Sequence, residues 1–219
     1  MRIVVTGASR GIGRELVEQL LARGDEVVAV MRKPEAVGNA RVEACDVGDE
    51  ASIRGLAARL GDAAIDAVIN NAGVWGGEAQ SVANFDAREA MRTFQVNALG
   101  PLLVSLALLP HLRRGTGKKL LHLTSGMGSI EDNTSGGSYG YRMAKAALNM
   151  ASRSLARDLK KDGIASAVIN PGWVQTDMGG GGAPTPVADS VRGILARFDE
   201  LTLANSGSFF NWKGGTYPW

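Results

Sequence analysis

The chain has 219 residues, 45% of them hydrophobic and 21% charged, with a net charge of +2. That balance is ordinary for a soluble globular protein and points to neither nucleic acid nor a membrane surface as partner. At this length one α/β domain over residues 1–219 can bury a large core, and no repeat or linker divides it. The apolar run in residues 1–7 is far too short for a signal peptide or a membrane span, so a cytoplasmic protein without membrane insertion is expected.

Ile3-Val4-Val5 is a short β-branched run, as in buried parallel strands. It enters Thr6-Gly7-Ala8-Ser9-Arg10-Gly11-Ile12-Gly13. Leu16, Val17, Leu20 and Leu21 follow at helical spacing. Strand, glycine turn and helix N-terminus together favour a phosphate, through free backbone N–H groups and the helix dipole. The spacing Gly7-x3-Gly11-x-Gly13 lets a pyrophosphate approach with no Cβ in the way. A turn needed only for chain geometry is the competing reading.

Residues 26–31 form the second strand, with Arg32 and Lys33 at its end. In dinucleotide folds an acid at this place bonds the ribose 2′-hydroxyl, whereas an Arg accommodates a 2′-phosphate. Two cations here, with Arg10 in the turn, favour NADP(H), with NAD(H) as the alternative. Solvated surface charge is the competing reading. Residues 34–40 are too few for the usual helical crossover, so the helix expected there is a single turn or absent. Residues 41–44 are a third strand, ending at Cys45-Asp46-Val47. Cys45 is the only cysteine, which excludes an intrachain disulfide and fits a reducing compartment. A buried small hydrophobe is its expected role, and no metal site is expected. Asp46 suits either an adenine amino group or a turn or helix cap. Residues 51–60 read as a helix with Ile53, Leu56, Ala57 and Leu60 inward.

Residues 66–69 are a fourth strand that stops at Asn70-Asn71-Ala72-Gly73. Small residues there let the backbone pass close to a ligand lying beyond the strand ends. Trp75 follows, either at a pocket rim or packed. Residues 85–114 are mostly helical, split or kinked at Pro101. Asn97, in an apolar stretch, needs partners such as a water and a backbone carbonyl. Residues 102–112 are almost wholly apolar and are expected to be well buried, in the core or against another subunit.

Residues 118–124 are a fifth strand. His122 inside it is expected to pack, and Ser125 at its end lies on the ligand-bearing rim. Residues 130–138 form a polar loop, and Tyr139 opens the helix carrying Tyr141 and Lys145. Four residues apart, those two share a helix face. A neighbouring ammonium favours the phenolate, so the phenol is expected to titrate below its usual value near 10. An acid or base works best when its pKa approaches the operating pH. Tyr139 is no rival, because Met143 rather than a cation follows it four residues on. Residues 164–169 are a sixth strand, leading into Asn170-Pro171-Gly172-Trp173-Val174-Gln175-Thr176, a loop placed to meet a nicotinamide. The glycines at 179–182 are either a mobile lid or a flexible link. Residues 187–198 are a last helix and 208–212 a seventh strand.

Strands and helices alternate throughout, which implies a parallel sheet with helices on both faces. The pieces Thr6-Gly7-x3-Gly11-x-Gly13, Asp46-Val47, Asn70-Asn71-Ala72-Gly73, Asn97, Ser125, Tyr141-x3-Lys145 and Pro171-Gly172 together resemble the short-chain dehydrogenase/reductase family over essentially the whole chain. Met127-Gly128-Ser129-Ile130 through Asn133, Gly136, Gly137 and Tyr141-Arg142-Met143 are similar to the C-factor and sniffer-like carbonyl reductases, as is the tail 212–219.

The resemblance implies a Rossmann-type doubly wound parallel sheet of about seven strands. It also implies NADPH-dependent reduction of an aldehyde, ketone or quinone. Tyr141 would be the acid and Ser125 would hold the carbonyl oxygen. Lys145 would lower the tyrosine pKa and bond the nicotinamide ribose, and Asn97 would hold a water that relays protons from Lys145 to solvent. The cofactor would lie on Gly7, Ser9, Arg10, Gly11, Ile12, Gly13, Arg32, Asp46, Val47, Asn71, Ala72, Gly73, Pro171, Gly172, Val174 and Thr176, with Tyr141 and Lys145. A homo-oligomer, dimer or tetramer, is implied as well. The region after Thr176 is shorter than the family's usual substrate lid, which implies an open cleft. The C-factor likeness also carries another reading, a nucleotide-binding signalling protein without physiological turnover.

Overall fold

The structure, a computed structural model, describes residues 1–219. Seven strands form one sheet: β1 (Arg2–Thr6), β2 (Glu26–Met31), β3 (Arg41–Ala44), β4 (Ala67–Asn70), β5 (Lys119–Leu123), β6 (Ala165–Asn170) and β7 (Phe209–Asn211). All pairings are parallel, in the order β3-β2-β1-β4-β5-β6-β7. The strand order reverses between β1 and β4, where such sheets open a crevice for ligands.

The apolar strand runs are explained by burial on both faces. In β1, Ile3 and Val5 join the core under α1 (Gly11–Ala22) and α7 (Val187–Glu200), with Leu16, Leu20, Ile194 and Phe198. Val4 points the other way, into a second core. That core holds Leu56 and Leu60 of α2 (Glu50–Leu60), Val104 of α4 (Gly100–Ala107), Leu112 of α5 (Leu109–Arg114) and Leu155 of α6 (Tyr139–Asp158). Each such side chain contributes about 1.5–3 kcal/mol by leaving water. No helix is long and apolar enough to cross a membrane.

No helix forms between β2 and β3, one of the two outcomes expected there; the short link turns at Gly38, whose φ is +52°. Two expectations need refinement. The helical stretch does not break at Pro101. A π-type turn, Gln95–Leu99, separates α3 (Ala87–Phe94) from α4, and Pro101 sits in the first turn of α4, where a missing N–H is harmless. A second break falls at Leu108, with Pro110 in the first turn of α5. Residues 102–112 are only half in the core: Val104, Leu108 and Leu112 are buried, but Leu106 stays 47% exposed.

The head of β4 is pinned by Asp66. Its carboxylate accepts N–H groups from Arg2 (2.7 Å), Thr116 (2.8 Å) and Gly117 (3.1 Å), and the Thr116 hydroxyl (3.0 Å). Burial raises this carboxyl, but those bonds more than reverse the effect and hold it at about 2, below its ordinary 3.8. A depressed carboxyl stabilises the fold fully above its unfolded pKa and loses that contribution as pH falls through the folded one. Between pH 5 and pH 2, the stability advantage of the wild type over Asp66→Asn should therefore shrink by roughly 1–2 kcal/mol, allowing for partial solvent screening. Urea unfolding of both proteins at the two pH values checks it; a constant gap refutes it.

Candidate active site

The C-terminal strand ends and their loops enclose a cleft of about 1280 Å³. That exceeds the roughly 300–1,000 Å³ of ordinary small-molecule sites and leaves room for a dinucleotide beside a second molecule. Every candidate cofactor residue from Gly7 to Thr176 borders it, as do Ser125, Tyr141 and Lys145. Asn97 does not.

The glycine turn is built by close approach. A Cβ on Gly13 would lie 2.1 Å from the Gly7 carbonyl oxygen, and Gly7 and Gly11 have φ of +69° and +53°. α1 then starts with no side-chain cap on its first N–H groups and no acid in its first turn, which leaves its positive end available to an anion. The turn is bracketed from β4. The Thr6 hydroxyl oxygen accepts from the N–H groups of Asn71 and Ala72, and the Asn71 amide donates to the Thr6 and Gly7 carbonyls at 2.9 and 3.1 Å. The Asn71 side chain thus holds the turn in shape.

Tyr141 and Lys145 are 8% and 4% exposed. The phenol is not lowered as expected. Burial pushes it up to about 12, with the Ser125 hydroxyl drawing it part of the way back. Burial likewise brings Lys145 down to about 8. Loss of water penalises both charged forms, and the ammonium lies 5.8 Å from the ring centroid, donating instead to the Leu123 carbonyl at 2.8 Å. Raised this way, the phenol keeps its proton through the neutral range, the form an acid needs, although burial makes it a weaker acid than a free phenol.

Asn97 is fully buried and spends its amide on the backbone of one residue: its Oδ1 accepts from the Val74 N–H and its Nδ2 donates to the Val74 carbonyl, both at 2.8 Å. The expected carbonyl partner is there, and the Val74 N–H is an addition. The π-type turn carries it, as such turns often do at functional sites.

Asp46 takes the turn role, accepting the Gly48 N–H at 2.9 Å, while also bordering the cleft. Of the three cations, Arg32 and Arg10 border the cleft and Lys33 does not. Arg10 is paired with Asp177 at 2.6 Å, both side chains well exposed. His122 is an interior packing residue, its ring nitrogens against Asn70 and Ser166, and burial drives it down to about 3. Cys45 is buried. The glycine run is not loose at its start: Gly179 accepts from the Trp173 indole at 2.7 Å, and Gly180 donates to the Thr176 carbonyl.

Two further residues complete the site: Trp75, for which the sequence leaves both the rim and a packed position open, and Gln80, which the sequence does not signal. Trp75 packs against Tyr141, ring centroids 4.9 Å apart and tilted by 42°. Gln80 caps α6 from a distant loop. Its Oε1 accepts from the Tyr141 N–H at 2.9 Å while its amide donates to the Trp75 and Gly77 carbonyls. Gln80 thus sets both rings at once, a task that Ser138, the residue before α6, leaves undone.

The glycine turn at a sheet crevice and the Ser125, Tyr141 and Lys145 cluster on its rim define a nucleotide-dependent oxidoreductase, and the chain belongs to the short-chain dehydrogenase family, whose model matches residues 1–184. It acts on C=O and CH–OH groups. Within the family it falls in the C-factor and sniffer-like group. The C-signal protein of Myxococcus xanthus is 48% identical over 167 residues, 76% of this chain and all of that protein. The NADPH-bound carbonyl reductase from chicken fatty liver superposes with a TM-score of 0.91 at 32% identity, covering 100% of this chain and 98% of that one. The Sniffer carbonyl reductase of D. melanogaster gives 0.92 at 30%, covering 100% and 99%.

Proposed function

We propose that the chain is an NADPH-dependent carbonyl reductase that reduces an aldehyde, ketone or quinone. One observation carries the reading: a buried, protonated phenol beside the Ser125 hydroxyl, in the same cleft as an uncapped helix end behind a glycine turn. The chicken reductase's bound NADPH supports the choice of cofactor.

The residues present fit that cofactor. The N–H groups at the start of α1 and the glycine turn would hold its pyrophosphate. Asp46 and Val47 border the cleft where the adenine would lie, and Pro171, Gly172, Val174 and Thr176 line the loop at the nicotinamide end. When bound, NADPH supplies the hydride. Ser125 donates a hydrogen bond to the substrate carbonyl oxygen and fixes it beside Tyr141. Tyr141 gives its proton to that oxygen as negative charge builds there, where hydrogen bonds help most. Lys145, protonated below about pH 8, bonds the ribose and returns a proton toward the phenol. Asn97 holds Val74 and a relay water behind Lys145. Exposed Leu106, Met143 and Met150 on α4 and α6 fit a homo-oligomer built on those helices.

Arg32 reads the 2′-phosphate in this scheme, since Arg10 is already engaged by Asp177. Arg32→Asp should lower the NADPH-to-NADH affinity ratio by about 10–100-fold, the worth of one hydrogen bond to a charged group. Titration of cofactor fluorescence measures it, and an unchanged ratio removes the assignment.

The C-signal likeness supports a competing reading, a nucleotide-binding signalling protein that needs no turnover. NADPH oxidation with a panel of aldehydes, quinones and diketones separates the two. The reductase reading fails if wild type and Tyr141→Phe are equally inactive while both bind NADPH tightly.

A further inference from the structure

The tail after β7 turns back on itself and reaches the cleft. Asn211 accepts from Gly214 and donates to the Gly215 carbonyl, and Gly214 and Gly215 take φ of +114° and +73°. Thr216 then pairs antiparallel with Phe210, and the Tyr217 N–H donates to the Phe209 carbonyl at 2.6 Å. The Tyr217 ring lies against Phe209, centroids 5.1 Å apart, and Trp219 packs on the same Phe209 at 5.4 Å.

The other end of that phenol meets the residue after Ser125. A Cβ on Gly126 would lie 2.6 Å from the Tyr217 hydroxyl oxygen, so the phenol fills the space that a side chain there would take. The hydroxyl donates to Asp132 Oδ2 at 2.5 Å. Asp132 belongs to the loop that follows Ser125, and its own N–H donates to the Ser129 hydroxyl at 3.0 Å. The same loop is laced to the tail again, because the Ile130 and Glu131 N–H groups donate to the Trp219 carbonyl. Tyr217 and Asp132 both border the cleft beside Ser125 and Tyr141. The residues that would hold the cofactor's phosphates, the glycine turn and Arg32, belong to other parts of the cleft wall.

We infer that Tyr217 is a specificity-determining residue that limits the bulk of the carbonyl substrate beside Ser125, and that Asp132 is the residue that positions it. The inference rests on the reductase reading and names what selects that enzyme's substrate. Tyr217 is not a second acid, since its proton is committed to Asp132. The ring acts by occupying volume, and Asp132 acts by keeping it there. One wall of the substrate site is thus supplied by the tail, a segment far in sequence from the catalytic helix.

The test uses two diketones with the same reacting group and different bulk, 2,3-butanedione and its diphenyl counterpart benzil. Tyr217→Ala should raise the benzil-to-butanedione ratio of kcat/KM by about tenfold or more, mainly through KM for benzil, the scale on which a pocket discriminates by size. Tyr217→Phe keeps the ring but loses the bond to Asp132, so it should move the ratio in the same direction as Tyr217→Ala by a smaller factor. Asp132→Asn, which weakens the tether, should move the ratio the same way as Tyr217→Ala by a smaller factor. NADPH affinity should stay within about twofold in all three, because the residues lie on the substrate side. Tyr217→Leu replaces Ala should the latter fail to fold. Binding of both diketones to NADPH-loaded Tyr141→Phe, with and without the Tyr217 change, reads the same selectivity without turnover. A wild-type protein that oxidises no NADPH with any carbonyl condemns the reductase reading. An unchanged benzil-to-butanedione ratio in Tyr217→Ala or Tyr217→Leu, with NADPH binding intact, overturns this inference alone.

Discussion

Tyr141→Phe should lower kcat for carbonyl reduction by about 10²–10⁴-fold, the usual worth of a positioned acid. It should leave NADPH bound within a few-fold of wild type. The expectation is sharp because the variant removes one oxygen and little else. The ring still packs on Trp75 at 4.9 Å, and the backbone N–H still donates to Gln80. Burial holds the lost hydroxyl protonated at about 12, so what disappears is a proton donor throughout the neutral range. A thousandfold loss corresponds to about 4 kcal/mol of transition-state stabilisation. The measurement is NADPH absorbance decay with the most active carbonyl of the panel, alongside cofactor titration. A fall of less than about threefold would mean that another group protonates the oxygen.

Gly13→Ala should cost NADPH binding at least about a hundredfold and destabilise the fold by roughly 3 kcal/mol, at the upper end for overpacking a single methyl. The added Cβ would meet the Gly7 carbonyl oxygen at 2.1 Å and the Asn71 amide at 2.4 Å. The first is main chain of the turn itself and the second is the bracket that holds the turn, so neither yields cheaply. The turn must open, and its N–H groups lose their common focus on a pyrophosphate. Gly181→Ala is the control: nothing lies within 4 Å of its Cβ, so a change under about 0.5 kcal/mol is expected. Thermal melts and cofactor titration of both variants decide it. Normal NADPH affinity in Gly13→Ala would dissociate the glycine turn from the cofactor.

Much of the site was legible in the chain because its signals are local. A β-branched run, three glycines and a helical stripe occupy consecutive residues, and Tyr141 and Lys145 are one helical turn apart. The inner strands were legible because burial on both faces makes them nearly continuous apolar runs, whereas β3, Arg41–Ala44 at the sheet edge, is mixed. What escaped notice depends on pairs far apart in sequence. Arg10 and Asp177 are separated by 167 positions, Asp132 and Tyr217 by 85, and Gln80 and Tyr141 by 61. The π-type turn at Gln95–Leu99 was hidden for another reason, since Pro101 offered a more conspicuous place to break the helix.

The sequence by itself determined the parallel sheet, the place of the glycine turn at the first strand end and the sharing of one helix face by Tyr141 and Lys145, because hydrophobic period and turn chemistry act within a few residues. Only the tertiary structure decided the charge state of those side chains and the walls around them. Charge state depends on how much water surrounding elements exclude, and here exclusion drives Tyr141 up and Lys145 down, against the local effect of placing an ammonium beside a phenol. The walls depend on which distant loops close over the rim. That is why Trp75, Gln80 and Tyr217 take their meaning from packing.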